Sequence, residues 1–160
     1  MGKPFLNTKE DIDDTVKTVI WAFKHGFGRV FLMLCNIQPS TLTYFLWKRN
    51  KFKLPMLWSA VEVLKRLPEK YRKNVSVRQF SRAVPTPLIY PSNCNKCTAS
   101  VADRLMQWNM TGDFKHIEEM PNCECLQEFK KRLKKKRKIS LRKYVDNIKK
   151  EVMENLESKK

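Results

Sequence analysis

Glycine and histidine are scarce in this chain, and each shortage removes a class of chemistry. The four glycines, Gly2, Gly26, Gly28 and Gly112, are too few and too scattered for a phosphate-cradling loop. The two histidines, His25 and His116, form no His-Glu-x-x-His set and no complete deaminase set. Pairing either of them with a cysteine for nucleophilic chemistry has no support in their spacing. Long apolar runs are also missing. The longest, Val30 to Cys35, is far too short to cross a bilayer. The stretch from Met1 to Asp14 carries acidic residues and no apolar core, so it fits neither a secretory signal nor a transit peptide. Gly2 is present, but Leu6 stands where a myristoylation signal needs Ser or Thr. These features predict a soluble, non-secreted protein without a catalytic set of its own.

Acidic residues are outnumbered. Sixteen Asp and Glu face thirty-three Lys and Arg, giving a net charge of +17. An excess of that size speaks to partners and not to fold, and nucleic acid is the leading partner. The charge is densest from Lys130 to Lys138, where only Leu133 is uncharged. Lys130, Lys131, Arg132, Lys134, Lys135, Lys136, Arg137 and Lys138 would repel one another without a polyanion nearby. They are the candidate nucleic-acid contacts, acting on phosphates with no sign of base readout. The same tract fits a nuclear import signal, which makes the nucleus the expected compartment and the cytoplasm the alternative. A second basic set includes Lys48, Arg49, Lys51, Lys53, Lys65, Arg66, Lys70, Arg72, Lys73, Arg78 and Arg82. It is interleaved with Phe52, Tyr71 and Phe80, aromatics that serve either stacking on bases or core packing. If both sets share one face, the electrostatic footprint becomes much larger.

Just ahead of the dense tract lie two pairs of cysteines. Cys94-x-x-Cys97 is a good half of a zinc site, because one tight turn aims both sulfurs at one ion. Cys123-x-Cys125 is a poorer half that needs an irregular loop, which Pro121-Asn122 can supply. His116 is a substitute ligand. Structural Zn²⁺ held by Cys94, Cys97, Cys123 and Cys125 is the site expectation, with plain thiols packed as small hydrophobes as the competing one. An odd total of five cysteines disfavours a full disulfide framework, and Cys35, inside an apolar run, reads as core.

The rest of the chain reads as helices. Asn7 and Glu10 predict a capping box, followed by Ile12, Val16, Val19, Ile20 and Phe23 at helical spacing up to Gly26. Arg29–Ile37 fits a buried strand in length, but its helical neighbours favour a helix. Ser40 or Thr41 caps a second helix. Pro55 suits the first turn of a third, with Leu57, Trp58, Val61, Leu64 and Leu67 inward and Pro68 ending it. A fourth short helix is expected after Ser76, carrying Val77, Phe80 and Val84. Pro85, Pro87 and Pro91 impose an extended path to Cys94. Ser100 and Asp103 are a capping pair for the next helix, Leu126, Phe129 and Leu133 share a face of another, and Ser140 starts the last.

The expected fold is mainly α: a small irregular helical domain with a four-cysteine zinc site and a basic C-terminal helical extension. Its regions are residues 1–84, helical; 85–128, Pro-rich and cysteine-containing; and 129–160, the basic tract and final amphipathic helix. The favoured function is a nucleic-acid-binding module, DNA or RNA unresolved. In composition the chain resembles the nucleic-acid-handling modules of viruses and mobile elements. The alternative is an assembly subunit, or a fragment of a larger protein or enzyme, whose Leu141–Leu156 helix docks on a partner.

Overall fold

The computed structural model describes residues 1–78 and 86–157, the side chains of 155–157 excepted. The fold is mostly helical, with eight helices among the described residues and one two-stranded sheet. Helix α1 (Thr8–Lys24) opens on the capping box that its sequence announces. The Asn7 side chain accepts from Glu10 N, and the Glu10 carboxylate accepts from Asn7 N, both at 2.9 Å. Two of the helix's orphan N-terminal donors are thereby satisfied.

From Arg29 the structure departs from the expected helix. Val30–Met33 is strand β1, and it pairs in parallel with β2 (Val75–Arg78), with Val30 opposite Val75 and Met33 opposite Arg78. The short helix expected after Ser76 is therefore a strand where it is described, and its remainder (Phe80, Arg82, Val84) lies outside the described residues. Neither strand can be recognised locally, because its partner lies a long crossover away. That crossover holds α2 (Leu42–Lys48), α3 (Leu57–Arg66) and α4 (Glu69–Arg72). Thr41 caps α2 through its hydroxyl. Pro55 precedes the α3 cap, Met56, instead of sitting in the helix's first turn.

The edges of the sheet are partly covered by unusual means. Asn109 replaces a third strand beside β2: its amide accepts from Val77 N at 2.7 Å and donates to Val77 O at 2.6 Å. The Trp108 indole N–H donates to Val75 O at 3.0 Å. On the far side of β1, the Met1 amine donates to Met33 O, and Cys35 N donates to Met1 O.

Beyond the sheet run α5 (Thr98–Thr111), α6 (Lys115–Glu118), α7 (Glu124–Lys134) and α8 (Leu141–Glu157). Helix α5 begins before the expected Ser100–Asp103 cap, because the Cys94 turn already organises its start: Thr98 N donates to Cys94 O at 3.0 Å. Gly112 ends it in the left-handed conformation at φ 69°, where a side chain would be strained. One core cluster runs from Ile12 of α1 through Trp58 and Leu64 of α3 and Leu105 and Trp108 of α5 to Phe129 of α7. Each such side chain, fully buried, contributes on the order of 1.5–3 kcal/mol. A second cluster gathers Ile37, Leu46, Phe52 and Ile148, with Phe5, Tyr144 and Val152 packed against it. Helix α8 thus packs Tyr144, Ile148 and Val152 on its own chain, while Leu141 is exposed.

Candidate metal centre and nucleic-acid interface

The four cysteines sit at the junctions of α3, α5 and α7. Cys94 and Cys97 frame the turn that starts α5, with Cys97 N donating to Cys94 O at 3.2 Å. Cys123 caps α7, and Cys125 lies in its first turn; Leu126 N donates to Cys123 O at 2.9 Å. The irregular loop that the second pair requires is thus supplied by a helix entrance after Pro121. The thiols approach at 3.7 Å (Cys94–Cys97), 3.3 Å (Cys94–Cys123) and 3.3 Å (Cys97–Cys125), and all four lie within 4.8 Å of one another.

The thiols are free at these separations, bonded sulfurs being about 2.05 Å apart. They fit a tetrahedron of thiolates: a metal–sulfur bond of about 2.3 Å sets sulfur–sulfur edges near 3.8 Å. The cluster can hold a metal ion. Among the described residues it is the one group of three or more metal-ligating side chains brought together.

One neighbour is placed to support negative sulfur: the Trp58 indole N–H donates to Cys125 Sγ at 3.2 Å. Hydrogen bonding, first from Cys123, brings the Cys94 thiol down to about 7. Burial, reinforced by the Cys125 thiol, pushes Cys97 up. A divalent ion would let all four ionise together. His116 lies on α6, with Nδ1 3.5 Å from the Arg104 guanidinium, outside this group. Cys35 is separate, and burial raises its thiol.

The cationic tract begins on α7 and leaves it. Lys130, Lys131, Arg132 and Lys134 are helical, whereas Lys135 to Lys138 form the link to α8. That link meets the N-terminal segment through Arg137 and borders an open cavity of about 640 Å³. Lys131, Arg132, Lys135, Lys136, Arg137 and Lys138 line it together with Lys51 and Lys53 of the second basic set. The two basic sets therefore meet, but only in part. Lys130 and Lys65 line a separate cleft beside α6. Arg66 is paired with Asp13 and Glu62, Arg72 with the Phe114 ring, and Arg78 with the Phe31 ring. Of the aromatics, Tyr71 stacks on Phe23, Phe52 is core, and Phe80 lies outside the described residues.

Two members of the tract are committed internally. Arg132 pairs with Glu128. Arg137 turns inward, with Nε 2.8 Å from Glu10 Oε1, Nη2 against Glu10 Oε2, and Nη2 donating to Phe5 O at 2.6 Å. Among the described residues Lys53, Lys131, Lys135, Lys136 and Lys138 make no ion pair, so their charge is available to a ligand. Phe5, Tyr144 and Trp58 are contributors that the sequence alone does not mark. Their roles depend on neighbours 67 to 132 residues away.

No protein-family model matches the chain, and no solved structure matches it significantly. Three curated relatives are similar. Archaeosine synthase subunit beta of Methanosarcina acetivorans is 29% identical over 136 residues, 82% of this chain and 37% of that protein. Archaeosine synthase subunit beta of Thermococcus kodakarensis is 26% identical over 125 residues, 74% of this chain and 36% of that protein. An uncharacterized protein of Methanocaldococcus jannaschii is 22% identical over 121 residues, 76% of this chain and 33% of that protein. The chain is thus similar to these archaeal proteins over most of its own length, and it spans about a third of theirs.

Proposed function

We propose that this chain is the RNA-binding, metal-stabilised and non-catalytic part of an RNA-modifying enzyme. The observation that carries the reading is the meeting of Lys51 and Lys53 with Lys131, Lys135, Lys136 and Lys138 around one cavity. A helix anchored at its first turn by four thiols presents part of this wall. Two relatives are named as subunits of a synthase of a modified nucleoside, which supports RNA over DNA as the polyanion. Zn²⁺ is the metal that suits four thiolates in a closed, structural arrangement. By fixing the start of α7 it would hold the following cations in place, so metal and RNA affinity are coupled. The test is RNA binding by the purified chain, with and without chelation of its metal. Binding that weakens on chelation and returns with added Zn²⁺ is expected; binding indifferent to the metal sinks the coupling.

A second reading, that the chain also docks on a protein, is favoured by the sheet. Parallel sheets are normally covered on both faces. Here Phe31 and Met33 of β1 are 46% and 51% exposed, on the face opposite Leu32 and Leu34. Asn109 partly covers the edge of β2, while Met1 meets β1 only at its Met33–Cys35 end. The partner we infer is a polypeptide that covers Phe31 and Met33. It would use this face in place of the α8 stripe, where Ile148 is already buried against Leu46 and Phe52.

A further inference from the structure

We propose that the cavity under the basic tract is a pocket for a single nucleotide of the bound RNA, taken out of its stack. The inference rests on the RNA-binding reading and adds to it where, and by what contacts, one base is held. A surface that only neutralises phosphates has no use for a recess. This one has a volume of about 640 Å³, within the roughly 300–1,000 Å³ of small-molecule sites. Its lining mixes two chemistries. Lys53, Lys135 and Lys136 are exposed and make no ion pair among the described residues, whereas Phe5 and Tyr144 are half-buried. Exposed cations beside half-buried aromatic rings match a nucleotide, whose phosphate is charged and whose base is flat and polarizable. Unstacked RNA bases are commonly held on aromatic side chains and arginine planes.

The two rings are held in place. Phe5 and Tyr144 meet edge to face, with ring centroids 6.4 Å apart. Arg137 fixes both, donating to Phe5 O and lying 5.3 Å from the Tyr144 ring centroid. The Tyr144 hydroxyl donates to Lys51 O at 3.3 Å, tying the last helix to the Lys51 segment. Phe5 has a φ of 73°, in the left-handed region that bulky residues avoid. Asn50, at φ 56°, lines the same cavity. Two of the three non-glycine residues with positive φ among those described thus border this recess. Such conformations persist where surrounding contacts over-determine them, and ligand clamps are a recurring setting. The strain accompanies the proposal; the cavity and its joint lining of exposed cations and half-buried aromatic rings carry it.

The experiment is a titration of the whole metal-loaded chain with each of the four ribonucleoside 5′-monophosphates and with ribose 5-phosphate, followed by backbone amide NMR. At least one mononucleotide should bind roughly tenfold tighter than ribose 5-phosphate, with shifts centred on Phe5, Asn50 and Tyr144. Tyr144→Leu should weaken nucleotide binding by roughly 5- to 100-fold, the range of losing one stacked base. Lys135→Gln with Lys136→Gln, both exposed positions, should weaken mononucleotide and ribose 5-phosphate alike. Equal binding of mononucleotide and ribose 5-phosphate, or shifts elsewhere on the protein, would overturn the pocket. RNA affinity measured on the same variants separates the two claims. RNA bound equally well by wild type and Tyr144→Leu removes the pocket and leaves the RNA-binding reading standing. Mononucleotide bound in the recess by a chain with no affinity for RNA removes that reading, and with it the assignment to an RNA base.

Discussion

Arg137 and Glu10, 127 residues apart in sequence, form a two-pronged ion pair that fastens the end of the basic tract to the start of α1. Glu10 already accepts from Asn7 N in the capping box, so one carboxylate serves helix start and tract together. The Arg137 guanidinium beside Glu10 holds its carboxyl below the usual value, with the Asn7 bond adding to the effect.

The sign of the resulting pH dependence follows. A carboxyl depressed in the folded state contributes stability that is complete above its unfolded value and disappears as pH falls through the folded one. Arg137→Gln should therefore cost about 0.5–1 kcal/mol at pH 7, the scale of a partly exposed ion pair screened by solvent. Its deficit in urea unfolding relative to wild type should shrink below about pH 4. A deficit constant from pH 7 to pH 3 would place the loss in packing instead.

Metal content separates the cysteines. Cys97→Ser should remove the bound metal and destabilise the chain by more than the roughly 0.5–3 kcal/mol of ordinary substitutions. Cys35→Ala should leave one metal per chain. Trp58→Phe, which deletes the N–H donor to Cys125 Sγ, should lower metal affinity roughly 10- to 100-fold, as losses of supporting hydrogen bonds do. Metal retained at full occupancy by Cys97→Ser would dismiss the four-thiolate site.

Asn109 gives a test of the sheet edge. Asn109→Ala leaves the N–H and C=O of Val77 without their side-chain partner and should cost about 1–3 kcal/mol, the penalty for unpaired buried backbone groups. An unchanged denaturation midpoint would mean that water replaces the amide at no cost.

The exposed strand face predicts association. Phe31→Ser with Met33→Ser should destabilise the chain by roughly 1–2 kcal/mol without unfolding it, since both side chains are only half-buried and Phe31 also carries the Arg78 guanidinium. The same change should abolish recovery of a partner polypeptide, or of a second copy, in sedimentation and cross-linking. Assembly identical to wild type would remove the protein-docking reading.

Local signals in the sequence carried furthest. The Asn7–Glu10 box, the Thr41 cap and the Leu57–Leu67 face each involve neighbours within a helical turn or along one helix face, where spacing alone specifies the contact. The cysteines were legible for a related reason: metal chemistry constrains residue type so tightly that two short motifs suffice. What the sequence withheld is non-local. Val30–Met33 and Val75–Arg78 become strands because they pair with each other across a long crossover, and neither has a local partner to show it. The cavity is likewise invisible along the chain. Its lining joins Phe5 to Tyr144, and Arg137 reaches back to Glu10, so charge density marked the tract without revealing the recess beside it. The start of α5 was misplaced because the Cys94 turn, not Ser100, provides its first hydrogen bonds.

The most direct test of the central claim is the salt dependence of RNA affinity for the wild-type chain and for a variant with Lys131, Lys135, Lys136 and Lys138 changed to Gln. Each phosphate contact on single-stranded nucleic acid contributes about 0.7 to the slope of log affinity against log salt. The variant should bind more weakly, with a slope shallower by about 3 units. Equal affinity and equal slope would contradict the account, because the lysines gathered at this cavity would then carry none of the contact with RNA.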